Sequence, residues 1–218
     1  MSAVIHLGYF LLLQRGYAAG DMSVVYPLAR GTGPLLSVVI AVLVLGERPG
    51  WLGCCGAAVV VVGVFVIGLS DGLPRAGANL AGIGFGLLTG ALIATYTLWD
   101  AHAVTALALS PLLFDWSCNL ARSVLLTPYA LMRRTALADA WRRYRAEILA
   151  VALLSPLAYV LVLFAMRLAP VSLVAPGREL SIVIAGLLAW RLLDEPQPAR
   201  RLTGAGVVLV GVVLLSVA

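Results

Sequence analysis

The feature that most constrains this chain is a succession of long apolar runs separated by short polar breaks. Eight runs are legible, at about 1–19, 22–46, 51–70, 79–100, 104–131, 147–166, 171–193 and 202–218. Most approach the roughly 20 residues that a helix needs to cross about 30 Å of hydrocarbon. Inside a bilayer the backbone has no water to bond, so such a run must satisfy its own N–H and C=O groups as a helix. The expected fold class is an all-α membrane protein with eight transmembrane helices. Composition agrees: 62% of the residues are hydrophobic and 11% charged, with a mean hydropathy of +1.03. Soluble domains hold about 45–50% apolar and about 25% charged residues, so a soluble or disordered chain is excluded. Three cysteines, with Cys54 and Cys55 adjacent in an apolar run, make no disulfide framework.

The 15 basic residues are all arginine and lie mostly at the ends of runs. There they orient a membrane protein, and no nucleic-acid partner is expected. Arg15, Arg75, Arg133, Arg134, Arg142, Arg143, Arg145, Arg200 and Arg201 fall in one set of alternate loops, against Arg48 and Arg167 in the other. The positive-inside rule puts the larger set in the cytoplasm and both termini outside, in a multi-pass inner-membrane protein. The first residues lack the charged start of a cleavable signal peptide. Most connections are short, as in Gly46-Glu47-Arg48-Pro49-Gly50. The exception, 133–147, carries arginines with Trp141 and Tyr144 and predicts a short amphipathic helix at the headgroup level.

Sliding the chain on itself by 148 residues puts Arg30 on Arg178, Glu47 on Glu195, Gly56 on Gly204 and Gly63 on Gly211. A further two-residue shift puts Tyr9 on Tyr159. Two extra helices precede the repeated unit in the second copy, so the chain reads as three helices (1–74) followed by five (75–218). A repeat with an odd number of spans enters the membrane in opposite senses in its two copies. Inverted repeats of this kind characterise secondary transporters, whose substrate site lies near the midplane between them.

Tyr26-Pro27-Leu28-Ala29-Arg30-Gly31-Thr32-Gly33-Pro34 leading to Leu45-Gly46-Glu47-Arg48-Pro49, with Ala175-Pro176-Gly177-Arg178-Glu179 and Asp194-Glu195-Pro196 in the second copy, resembles the EamA branch of the drug/metabolite transporter superfamily. The resemblance runs from about Gly8 to the C-terminus. It implies a bundle of two inverted five-helix repeats that moves small metabolites or amino acids, usually outward, here without the first two of ten helices.

Charged groups inside a span need a partner or a wet cavity. Arg30 lies about 12 Å into its helix at about 1.5 Å per residue, and Arg178 lies at the same fraction of an oppositely directed one. Two arginines near the midplane suit a carboxylate or phosphate on the substrate, or else bond to carbonyls or a carboxylate and fix helix packing. Glu179 is the first candidate for proton coupling, because burial penalises a charged carboxylate; facing Arg30, it would instead be a structural ion pair. Asp115, Asn119 and Arg122 share one helix face, as a cavity lining or an internal salt bridge. Tyr96 and Tyr159 complete the substrate-binding set. Asp100 is a second proton-coupling candidate or an interfacial cap at a helix end. Pro27, Pro34, Pro176 and Gly177 interrupt the hydrogen-bond ladder, as hinges or as packing kinks.

Gly82, Gly86 and Gly90 make a small-residue face for intramolecular packing first and homodimerisation second. Glu47 and Glu195 sit in turns as caps or interface residues. His6 and His102 form no metal set, and no cofactor is expected. No nucleophile and base pair or phosphate-cradling loop points to an enzyme. The resulting expectation is a secondary-active transporter of a small-molecule substrate in the lipid bilayer, with a lipid-linked headgroup flippase or a non-transporting membrane partner as alternatives.

Overall fold

The computed structural model describes residues 1–20, 22–68, 80–184 and 199–218. Among the described residues there is no strand, and eight helices are described from end to end: α1 (Ser2–Ala19), α2 (Met22–Leu43), α3 (Gly50–Gly68), α4 (Leu80–Thr105), α5 (Pro111–Met132), α6 (Arg134–Leu168), α7 (Val171–Gly177) and α8 (Ala199–Ser216). Four contain stretches long and apolar enough to cross a membrane: Val24–Leu43, Gly50–Ile67, Leu80–Thr105 and Arg134–Leu168. The α8 helix adds the shorter apolar Leu202–Ser216. In α5 the polar Asp115, Asn119 and Arg122 interrupt the apolar run.

Several boundaries differ from the sequence-based expectation. The fourth helix runs on to Thr105, because Ala101, Ala103 and Val104 are themselves buried, so Asp100 lies inside the helix and does not cap its end. The arginine-rich stretch forms a short helix, as expected, which runs into the apolar part of α6 through a kink where Tyr144 leaves helical geometry (φ −128°, ψ 29°). The α2 helix continues through Pro27 and Pro34, whereas the run from 171 breaks after Gly177 and resumes as helix at 180–184. Asp194, Glu195 and Pro196 lie outside the described residues, as does the 69–79 connection.

Glycines set the closest helix contacts. On α3 and α8, Gly56 meets the Gly211 carbonyl and Gly63 the Gly204 carbonyl, while Gly204 and Gly211 meet Gly63 and Gly56 in return. The pairs are reciprocal, so the two helices cross antiparallel with their backbones nearly touching. In lipid, where tails are as apolar as side chains, such close approach carries much of the association. Val60, Val64, Val183 and Val208 pack around this seam. The glycine stripe of α4 is likewise used inside the chain, Gly82 against Gly20 and Gly86 and Gly90 against Leu28, Thr32 and Gly33. The connections after α2, α4 and α6 gather at one end of the bundle, where Leu45, Glu47, His102, Thr105, Ala169 and Pro170 line a common cavity.

Candidate functional site

The site begins at the break after α7. Pro176 has no N–H, and Gly177 is a poor helix former. The chain therefore tightens there: Glu179 N–H donates to the Pro176 carbonyl at 2.9 Å and Ile182 N–H to the Glu179 carbonyl at 3.0 Å, three residues back in each case. This turn buries Arg178 and Glu179 together. At the other end of α7, the Glu47 carboxylate accepts the Val171 and Ser172 N–H groups at 3.0 and 2.9 Å. Gly46, with φ +69°, bends the chain leaving α2 so that Glu47 reaches that helix start. Glu47 is thus a cap, as expected, for a helix distant in sequence.

Glu179 is 1% exposed. Its Oε1 stands 3.8 Å from Arg30 Nη1 on α2 and 3.9 Å from Arg178 Nε. Neither distance is a hydrogen bond, and both Glu179 oxygens and Arg178 Nε lack hydrogen-bond partners. The repeat-related arginines therefore do meet, through one carboxylate whose hydrogen-bonding capacity is unused. Pro34 adds to this, since it withholds the helical donor that the Arg30 carbonyl would otherwise receive.

A cavity of about 500 Å³ opens beside these groups. Arg30 and Arg178 line it, and α5 presents Asp115, Asn119 and Arg122 to the same space. Asn119 donates to the Asp115 carboxylate at 2.8 Å and accepts from Arg122 at 2.9 Å, so an amide bridge stands where the alternative reading put an Asp115–Arg122 salt bridge. Tyr96 and Tyr159 line the cavity too. Asp100, fully buried, lies behind them: it accepts the Tyr159 hydroxyl at 2.6 Å and has His6 Nε2 at 4.0 Å. His6 stacks on Tyr96 with ring centroids 4.0 Å apart, and its Nδ1 is 3.2 Å from Ser2 Oγ.

The structure thus brings Arg30, Arg178, Asp115, Asn119, Tyr96 and Tyr159 to one cavity, with Glu179 in contact with its arginines and Asp100 in contact with Tyr159. Pro176 and Gly177 are at a real break, whereas Pro27 and Pro34 are not. Sequence reasoning missed His6, Tyr9, Ser155 and Ser181, which also line the space. A polar residue inside an apolar run was the available signal for His6.

Comparison with known proteins bears on what such a cavity is for. No curated protein matches this chain. One solved crystal structure of a protein aligns with 96% of this chain and 73% of its own, at TM-score 0.69 and 16% identity, a likeness of fold alone. The family model described as EamA-like transporter family matches residues 80–217. That is more than half of the sequence, and with the membrane-spanning helices it makes this a multi-pass membrane protein of the drug/metabolite transporter superfamily: the chain belongs to the EamA-like transporter family.

Proposed function

We propose that this protein is a secondary-active carrier that moves a small zwitterionic metabolite, such as an amino acid, outward by alternating access between two inverted repeats. The observation that carries the reading is Glu179, buried between Arg30 and Arg178 without a hydrogen bond, at a helix break beside the cavity. The reciprocal glycine contacts of α3 and α8 support a two-fold relation between the repeats.

In the empty carrier Glu179 compensates the two guanidiniums. A substrate carboxylate entering the cavity competes for the same cations, which recognise it bidentately. Two anions on one cation pair repel, so substrate binding and protonation of Glu179 favour each other, and by linkage each raises the affinity for the other. A proton then travels with the substrate, and flux is outward when the substrate gradient exceeds the opposing proton gradient. Asp115, on another wall, takes the substrate ammonium, while Tyr96 and Tyr159 pack against its body. Asp100, held by Tyr159 and His6, is a second proton site. The turn at Pro176–Glu179 is the hinge.

Charge movement in proteoliposomes on a solid-supported membrane, against amino acids, organic anions and amphiphilic cations with and without a proton gradient, tests the reading. A zwitterion-dependent current lost in Arg178→Ala is expected. A current unchanged in well-folded Arg178→Ala and Glu179→Gln refutes the site. Inner-membrane placement with both termini outside belongs to the same proposal, and a cysteine introduced near Trp141 that reacts with an impermeant reagent from outside the cell refutes that orientation.

A further inference from the structure

A second space, of about 600 Å³, lies between α5 and α6. Trp116 and Leu157, 65% and 57% exposed, wall its outer side, which in a membrane faces lipid. Asp115, Asn119, Ser155 and Pro156 line both this groove and the polar cavity. The two spaces therefore share a polar wall. Ala152 and Pro156 both line the groove, and Pro156 has no N–H to give the Ala152 carbonyl its usual helical donor. Resting on the reading of the polar cavity as a substrate site, we propose that the substrate is a single-chain amphiphile with a zwitterionic head. It enters sideways from the bilayer between α5 and α6, with its head in the cavity and its tail in the groove.

The argument rests on what each end of such a molecule meets. A tail loses nothing by passing from lipid into the groove, since lipid chains and leucine side chains are equally apolar. The head is the costly part, and it needs polar contact along its whole path. Asp115, 4% exposed, and Asn119 line both spaces and so stand between the groove and the cavity. The cationic end of the head meets Asp115, and its anionic end continues to Arg30 and Arg178.

The test uses the full chain in proteoliposomes with lysophosphatidylcholine carrying a diazirine near the end of its tail, adducts being mapped by peptide mass spectrometry. Expected are adducts within 112–116 and 151–157, reduced roughly tenfold in Asp115→Asn, as loss of a charge-assisted contact implies, and reduced by excess glycerophosphocholine. Ala152→Phe, on the exposed face of α6, fills the groove and reduces them without disturbing the fold. Equal labelling by a fatty alcohol with the same tail, or labelling indifferent to both substitutions, shows ordinary bilayer lipid and overturns the proposal. Ala152→Cys chains that cross-link to one another place a second copy in the groove and overturn it as well. Arg178-dependent binding of soluble zwitterions without groove adducts overturns the amphiphile while leaving the carrier reading intact. Absence of any Arg178-dependent binding removes that reading, and this inference with it.

Discussion

Replacing Glu179 by glutamine keeps the shape of the side chain and removes a charge that faces both arginines. Its Oε1 lies 3.8 and 3.9 Å from the two guanidinium groups. At about 4 Å and an effective dielectric near 20, each contact is worth about 4 kcal/mol of attraction before desolvation. Desolvation of the buried groups offsets most of that. The Arg30 side chain is 34% exposed, so water screens its share further. Breaking a buried pair by removing one partner costs about 3–5 kcal/mol, because a charge is left uncompensated. With Arg30 discounted, Glu179→Gln should lose about 3 kcal/mol, read as a lower midpoint in equilibrium unfolding in mixed micelles of dodecyl sulfate. A second readout separates this charge effect from general damage. A soluble carboxylate substitutes for the missing counter-charge, so it should protect Glu179→Gln more than the unaltered chain. A variant as stable as the original, with equal protection by carboxylate, means that Arg30 and Arg178 are compensated elsewhere and refutes the reasoning.

Gly63→Ala places a methyl 2.8 Å from the Val208 backbone nitrogen and 3.0 Å from the Gly204 carbonyl, which cannot yield as a side chain would. It should cost about 1–3 kcal/mol in the same titration, whereas Gly206→Ala, with nothing within 4 Å, should cost far less. Glu47→Gln retains a single acceptor for the two α7 amides and loses the charge at the helix start, for about 1–2 kcal/mol; faster hydrogen exchange at Val171 and Ser172 is the check. Tyr159→Phe takes the 2.6 Å hydrogen bond from the fully buried Asp100, for about 1–3 kcal/mol. Combined with Asp100→Asn it should be clearly non-additive, and additive losses would show that the two side chains do not act as a pair.

The helical membrane architecture was legible because the length of an apolar run is a direct requirement of the bilayer. Arg30 and Arg178 were legible because the repeat gave each a mate. The location of the helix break was not, and the reason is tertiary. Pro27, Gly31, Gly33 and Pro34 are a louder local signal than Pro176 and Gly177, yet α2 continues. Its glycines are clamped on both sides, Gly31 by Phe65 of α3 and Gly33 by Ile93 of α4. In α7 two adjacent breakers precede two charged residues that must both turn inward. Asp100 was misplaced because a helix end read from sequence stops at the first charge, whereas burial of the following turn carries α4 onward. His6 could not be assigned a role from sequence because Asp100, Tyr96 and Tyr159, which surround it, lie on other helices.

The repeat pairs the arginines but not the carboxylate between them. The residue after Arg178 is Glu179, whereas the residue after Arg30 is Gly31, and a Cβ there would stand 2.6 Å from the Phe65 ring. A side chain at this position on α2 would have to displace the Phe65 ring. Two cations are left to share one anion, and that anion is covalently adjacent to only one of them. When α2 and α7 move relative to each other in the proposed cycle, the contact of Glu179 with Arg30, at 3.8 Å, must change. Its contact with Arg178, the next residue in the chain, need not. Withdrawal of Arg30 removes one of the two charges that favour ionised Glu179, so in the proposed cycle it would promote proton uptake, tying protonation to the arrangement of the bundle as well as to substrate. A symmetric site with an acid beside each arginine would compensate each cation locally and would lose that tie. In the proposed cycle, then, coupling would draw on the departure from the sequence repeat rather than on the repeat itself.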